Sequence, residues 1–135
     1  MRSARKDSRQ LTPLELRIMK VLWECGSSNV QTVQEGLSGE KLAYTTVQTM
    51  LNVLHRKGRV KRTLRGKAYL YDAVLSRERA ASSAVSDLVD RLFGGSVEAL
   101  VMSLIKTQQL DSKKLSRLNK VIEEHHRHER EGEGK

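Results

Sequence analysis

Apolar residues recur at helical spacing in six segments of the chain, with two short strand-like runs between the third and the fourth. The first helix is set by Thr12-Pro13-Leu14-Glu15. This combines an N-cap hydroxyl, proline at the first helical position and glutamate three residues after the cap. Leu14, Ile18, Val21, Leu22 and Cys25 then share one face, and Gly26 ends it. Asn29 is placed to cap a short second helix over about Val30–Leu37, with Val30, Val33 and Leu37 inward and Ser38-Gly39-Glu40 as the next connection. A third helix over about Tyr44–Lys57 turns Tyr44, Val47, Met50, Leu51 and Leu54 inward, and Gly58 closes it. Val60–Leu64 and Ala68–Tyr71 read as strands joined by a tight turn at Arg65-Gly66-Lys67.

Beyond Ser76 the pattern is helical again. Ala80, Ala81, Ala84, Val85, Leu88, Val89, Leu92 and Phe93 line a fourth helix of about Arg77–Phe93, broken by Gly94-Gly95. Ser96 caps a fifth helix carrying Val97, Leu100, Val101, Leu104 and Ile105. Asp111 caps a sixth with Leu115, Leu118, Val121 and Ile122 inward. The expected fold is mainly α with a small β-hairpin: a winged helix-turn-helix domain at 11–75 and a three-helix region at 76–124. A basic, disordered start (1–10) and a frayed polar tail (125–135) flank them.

The outer face of the third helix has an unusual composition. Thr45, Gln48, Thr49 and Asn52 are short, polar and uncharged, where a solvated face favours the better helix formers Glu and Lys. Gln and Asn can bond adenine edges in pairs, and Thr offers a base both a hydroxyl and a methyl. Thr46, Gln48, Thr49 and Asn52 are therefore candidates for base edges, with Thr45 near base or phosphate at the helix start. Arg56, Arg65 and Lys67 are candidates for the DNA backbone or minor groove. Lys57, Arg59, Lys61 and Arg62 supply positive field and are further candidates for phosphate bonds.

Charge sharpens this reading. Among 135 residues, Lys and Arg number 25 and Asp and Glu 16, a net charge of +9. Residues 1–75 hold 14 basic and 6 acidic residues (+8), and residues 76–135 hold 11 and 10 (+1). Arg56–Lys67 alone carries seven basic residues and no acid, and a second cluster, Arg2, Arg5, Lys6 and Arg9, lies in the aperiodic start. A basic surplus implies an anionic partner. The longest apolar run is four residues, far below the roughly 20 that span a bilayer, and no signal sequence is evident. A cytoplasmic protein that does not enter a membrane is expected.

The second region has about 50 ordered residues and one aromatic, Phe93. A unit of that size buries only about 60% of the surface its unfolded chain exposes, which is marginal for an independent core. A second copy of the same segment is the simplest source of more surface. Val85, Leu88, Leu92, Phe93, Val97, Leu100, Val101, Leu104, Leu118 and Ile122 are the candidate dimer contacts; packing back onto the first region is the alternative.

Three stretches resemble a known family. Leu11–Trp23 (LTPLELRIMKVLW), Ala43–Leu51 (AYTTVQTML) with the basic wing after it, and Phe93–Val101 (FGGSVEALV) are similar to the penicillinase-repressor family of BlaI, MecI and CopY type, over about residues 11–124. The resemblance implies a homodimeric winged-helix repressor on a palindromic operator. In antibiotic-responsive members it also implies inactivation by a sensor-linked protease near the start of the fifth helix. By position that bond is Ser96–Val97, where this chain departs from the Asn–Phe pair of the staphylococcal-type repressors. The cysteine-rich hook of copper-responsive members has no counterpart, Cys25 being the only cysteine.

Other chemistries find little support. There is no GxSxG, P-loop or His-Glu-x-x-His motif, so no enzyme is expected, and no cofactor. His125, His126 and His128 are read as part of a solvated tail and not as metal ligands, and Cys25 as a small buried residue. The competing readings are a constitutive winged-helix protein-interaction module and a non-specific DNA-compacting module.

Overall fold

A computed structural model describes residues 10–37, 39 and 41–133. The elements are α1 (Pro13–Cys25), α2 (Val30–Gly36), α3 (Tyr44–Arg56), β1 (Val60–Arg65), β2 (Ala68–Ala73), α4 (Arg77–Leu92), α5 (Val97–Lys106) and α6 (Ser112–Glu133). The basic cluster Arg2, Arg5, Lys6 and Arg9, and Ser38 and Glu40 of the second connection, lie outside the described residues. The chain divides into two compact units, Met1–Ser86 and Asp87–Lys135, the division falling inside α4.

In the first unit the local signals act as their chemistry requires. Thr12 Oγ1 accepts from the Glu15 amide at 3.2 Å, and Glu15 Oε1 accepts from the Thr12 amide at 2.8 Å, satisfying two otherwise orphaned donors at the start of α1. Asn29 Oδ1 accepts from the Thr32 amide at 2.8 Å at the start of α2. The core joins Ile18, Met19, Val21 and Leu22 of α1 to Val30, Val33 and Leu37, to Val47, Leu51 and Leu54 of α3, and to Val60 and Tyr71 of the hairpin. Each fully buried aliphatic side chain contributes about 1.5–3 kcal/mol relative to exposure. Three helices and the base of the wing thus share one core.

Two inward assignments do not hold. Cys25 is exposed. Its angle on α1 is right, but it lies almost a turn beyond Leu22, the last α1 residue that the core fully covers. Tyr44 is 47% exposed, because it begins α3 and no preceding turn covers it.

The hairpin is antiparallel and in register from Val60↔Ala73 to Arg65↔Ala68. Gly66, at φ +64°, takes the first central position of the two-residue loop, as a type II′ turn requires. Ser28 forms an isolated bridge on the other edge of β2: its amide donates to the Tyr71 carbonyl at 3.0 Å, and its carbonyl accepts from the Tyr71 amide at 2.8 Å. The wing is therefore bonded to the α1–α2 turn as well as packed on the core.

In the second unit Ser96 Oγ accepts from the Ala99 amide at 3.1 Å and Asp111 Oδ1 from the Lys114 amide at 2.8 Å, capping α5 and α6. The α5–α6 turn places Gln108 at φ +63°. Among the described residues of this unit, Val89 and Leu110 are the only buried apolar side chains, so the inward assignment of Leu115, Leu118, Val121 and Ile122 does not hold within one chain: all four are exposed, because α6 meets no covering element. The polar tail is not frayed within the described residues, because α6 continues to Glu133. His125 Nε2 stands 3.2 Å from Glu129 Oε1, one helical turn on, a spacing that supports an otherwise polar helix. No helix among the described residues is long and apolar enough to cross a membrane.

Candidate nucleic-acid interface

α3 positions the site. Its buried side, Val47, Leu51 and Leu54, fixes its rotation, so Thr45, Gln48, Thr49, Asn52 and Arg56 fall together on the opposite side. Thr45, Thr46, Gln48, Thr49 and Arg56 are exposed and Asn52 is half-buried. Ala43 caps α3 without a side-chain hydrogen bond, and the first turn carries no acid. That end of α3 keeps its positive dipole and its amide donors, both suited to a phosphate.

The polar residues are not equally available. Thr49 Oγ1 donates to the Thr45 carbonyl at 2.8 Å, which uses its proton and leaves its oxygen lone pairs and methyl outward. Asn52 Oδ1 accepts from Arg62 Nη1 at 3.0 Å and lies 3.3 Å from the Tyr71 hydroxyl, so its carbonyl is committed to the wing and only its NH₂ remains for a base edge. Gln48 is exposed and its side chain makes no hydrogen bond among the described residues.

The wing supplies the cations. Arg65 and Lys67 flank the turn and are exposed. Arg62 lies further in, on the face of β1 that meets Tyr69 and Tyr71; its guanidinium is 4.5 Å from the Tyr69 ring centre. Stacking and the Asn52 bond together pre-organise it. Thr49, Asn52, His55, Arg56 and Arg62 line a depression of about 430 Å³ between α3 and β1.

The sequence alone places Arg62 among four cations that supply field and phosphate bonds, without singling it out. Its pairing opposite Tyr71 and diagonal to Tyr69 was the available signal, given the hairpin register. Glu15, expected as the capping-box acid, has a second role that its spacing does not signal: it is buried and accepts from Lys57 Nζ at 2.9 Å at the end of α3. Burial alone would raise its carboxyl. The Thr12 amide and Lys57 outweigh that and hold it below the ordinary value.

The candidate dimer contacts divide by exposure. Val85, Leu88, Leu92, Val97, Leu118 and Ile122 are exposed, Leu92 by 71%, while Phe93, Leu100, Val101 and Leu104 are half-buried. Ser96, like Val97, is exposed. Among the described residues no three His, Cys, Asp or Glu side chains gather as a metal site.

A helix-turn-helix whose third helix turns an uncharged polar face outward beside a basic β-hairpin is a winged-helix DNA-binding protein. The model of the penicillinase repressor family matches residues 11–124, and the chain belongs to that family, whose members are DNA-binding regulators and not enzymes. It is 26% identical over 123 residues to the penicillinase repressor of Bacillus licheniformis, covering 90% of this chain and 96% of that one. It is 20% identical over 114 residues to the penicillinase repressor of Staphylococcus aureus, covering 84% and 90%. The methicillin resistance regulatory protein MecI of S. aureus is 16% identical over 114 residues, covering 84% and 93%. The solution structure of monomeric B. licheniformis BlaI in complex with the blaP half-operator is similar over 52% of this chain and 87% of that one, at 31% identity and a TM-score of 0.45.

Proposed function

We propose that this protein is a sequence-specific transcriptional repressor that binds a pseudo-palindromic operator as a homodimer in the cytoplasm. The observation that carries the reading is the exposed, uncharged face of Thr45, Gln48 and Thr49 on α3, with Arg56 on the same helix and Arg65 and Lys67 at the wing tip. Gln48 and the threonines read base edges, and the cations hold the phosphates. A protein-interaction surface would place apolar or aromatic anchors there.

Dimerisation follows from the exposed apolar side chains of α4–α6 and from binding energetics. A single module with a few phosphate contacts binds non-specific DNA at roughly 10⁻⁴–10⁻⁶ M. Joining two modules makes the second binding event intramolecular and raises avidity by about 10²–10⁴. A two-fold protein then favours half-sites spaced by about 10–10.5 bp or a multiple. Derepression is loss of the dimer. Cutting at Ser96–Val97 by a sensor-linked protease would achieve it, and the exposure of both residues supports that route.

Selection of bound duplexes from a random pool tests the reading. Enrichment of one sequence with inverted symmetry is expected. Enrichment without symmetry removes the dimeric operator. No enrichment at all favours a compacting module, and no binding favours a protein partner.

A further inference from the structure

The first unit holds a second concave site, outside the DNA-facing surface. A groove of about 410 Å³ lies between α1 and the beginning of α4. That size is within the range of small-molecule sites, roughly 300–1,000 Å³. Its apolar lining includes Leu11, Leu16, Trp23, Leu75, Ala80 and Ala84. Its charged lining is Lys20, Arg59 and Arg77, with no acidic residue among the described residues.

The walls are held in place. Trp23 Nε1 donates to the Leu75 carbonyl at 2.9 Å, which fixes the indole, and the Arg77 guanidinium is 5.5 Å from the indole ring centre. Gln10 Nε2 lies 3.3 Å from Ser83 Oγ and closes one end. Small residues on α4, Ala80 and Ala84, leave the space open where a larger side chain would fill it.

We propose that this groove binds a small amphipathic organic anion: a ring system seated on Trp23, Leu16 and Ala84, with its acidic group toward Lys20 and Arg77. Charge complementarity selects this occupant. An uncharged apolar molecule would offer Lys20 and Arg77 no anionic group. The segment that precedes Gln10 is a poor occupant, since residues 1–9 carry Arg2, Arg5, Lys6 and Arg9 against one acid, Asp7. The groove reaches Arg59, whose carbonyl accepts from the Val74 and Leu75 amides just after the wing. A ligand here is placed to act on the DNA-binding unit as an effector. The site does not depend on the operator reading.

Anilinonaphthalene sulfonate is a suitable probe, and its uncharged analogue phenylnaphthylamine the control. Trp23 is the only tryptophan, so its single indole N–H resonance reports on the groove. The sulfonate is expected to shift that resonance saturably. Ala84→Phe should abolish the shift. Lys20→Glu with Arg77→Glu should weaken binding about tenfold, the sum of two partly exposed charge contacts. Phenylnaphthylamine should bind more weakly than the sulfonate. All three substitutions are at surface positions, and melting curves within a few degrees of the parent would verify folding. The proposal is overturned if the indole resonance stays unmoved, if both variants bind as the parent does, or if the neutral analogue binds equally well.

Discussion

Glu15 receives the Thr12 amide on one carboxylate oxygen and the Lys57 ammonium on the other, at 2.8 and 2.9 Å, and so ties the start of α1 to the end of α3. Glu15 is 1% exposed, whereas Lys57 keeps 25% of its side chain in solvent. The two ends of this ion pair should therefore respond differently to mutation.

Lys57→Met leaves a buried carboxylate without its counter-charge and should cost about 3–5 kcal/mol. Glu15→Gln keeps the capping geometry and leaves only the partly exposed ammonium, which can rehydrate; about 1–3 kcal/mol is expected. Because the folded carboxyl is held below its ordinary 4.5, its contribution is complete above that pH and is lost as the pH falls through the lower folded value. Urea unfolding between pH 7 and pH 3 should show a steeper acid loss for the parent than for Glu15→Gln. Equal slopes would remove Glu15 from the account.

Gly36 brings α2 close against Val21 of α1. A Cβ there would lie 2.8 Å from Val21 Cγ1 and 3.1 Å from Cγ2, and Val21 is a core residue. Gly36→Ala should destabilise by about 1–3 kcal/mol through overpacking, despite the better helix propensity of alanine. Adding Val21→Ala should recover part of that loss in a double-mutant cycle, since the two residues touch. Additive losses would mean that the clash is relieved elsewhere.

These two contacts mark what the sequence left hidden. Signals confined to a few residues are legible: the capping box at Thr12–Glu15 and the Asn29, Ser96 and Asp111 caps mark the starts of α1, α2, α5 and α6, and the glycine stops mark the ends of α1, α3 and α4, each to within a residue or two. The inward set of α3 followed from periodicity, apart from Tyr44 at its first turn. Glu15–Lys57 and Asn52–Arg62 join residues 42 and 10 positions apart and depend on how α1, α3 and β1 meet. No local pattern encodes that. Helix formation past His125 was missed because an all-polar segment carries no apolar stripe, and i, i+4 pairs such as His125–Glu129 support it instead.

On the outward side of α3 and the wing, three substitutions should separate the proposed jobs. Gln48→Ala should cost about 1–3 kcal/mol on the selected site and little on random duplex, because it removes base-edge bonds. Arg65→Ala should weaken both equally and lower the salt slope by about one. Asn52→Ala should release Arg62 and strand the Tyr71 hydroxyl, weakening both DNAs and also lowering stability by about 1 kcal/mol. Gel-shift titrations on both duplexes, with melting curves for each variant, distinguish the patterns. A Gln48→Ala loss that is the same on random DNA would reassign that residue to backbone contact.

Leu118 and Ile122 sit one turn apart on α6 and are about half exposed, and Leu92 at the end of α4 is 71% exposed. Apolar residues so arranged are costly in water and favourable against a second copy, at about 25 cal/mol per Å² covered. Leu118→Glu would place a charge in that contact and should shift the chain toward monomer by an order of magnitude or more in dissociation constant. Because Leu118 belongs to the second unit, the first unit should keep its fold, so non-specific DNA binding should survive while affinity for a two-half-site operator falls toward that for one half-site. Sedimentation at micromolar concentration, alone and on the selected duplex, measures both effects. A parent chain that sediments as a monomer in both states would rule out the dimer, and a Leu118→Glu chain that sediments as a dimer would move the contact off α6.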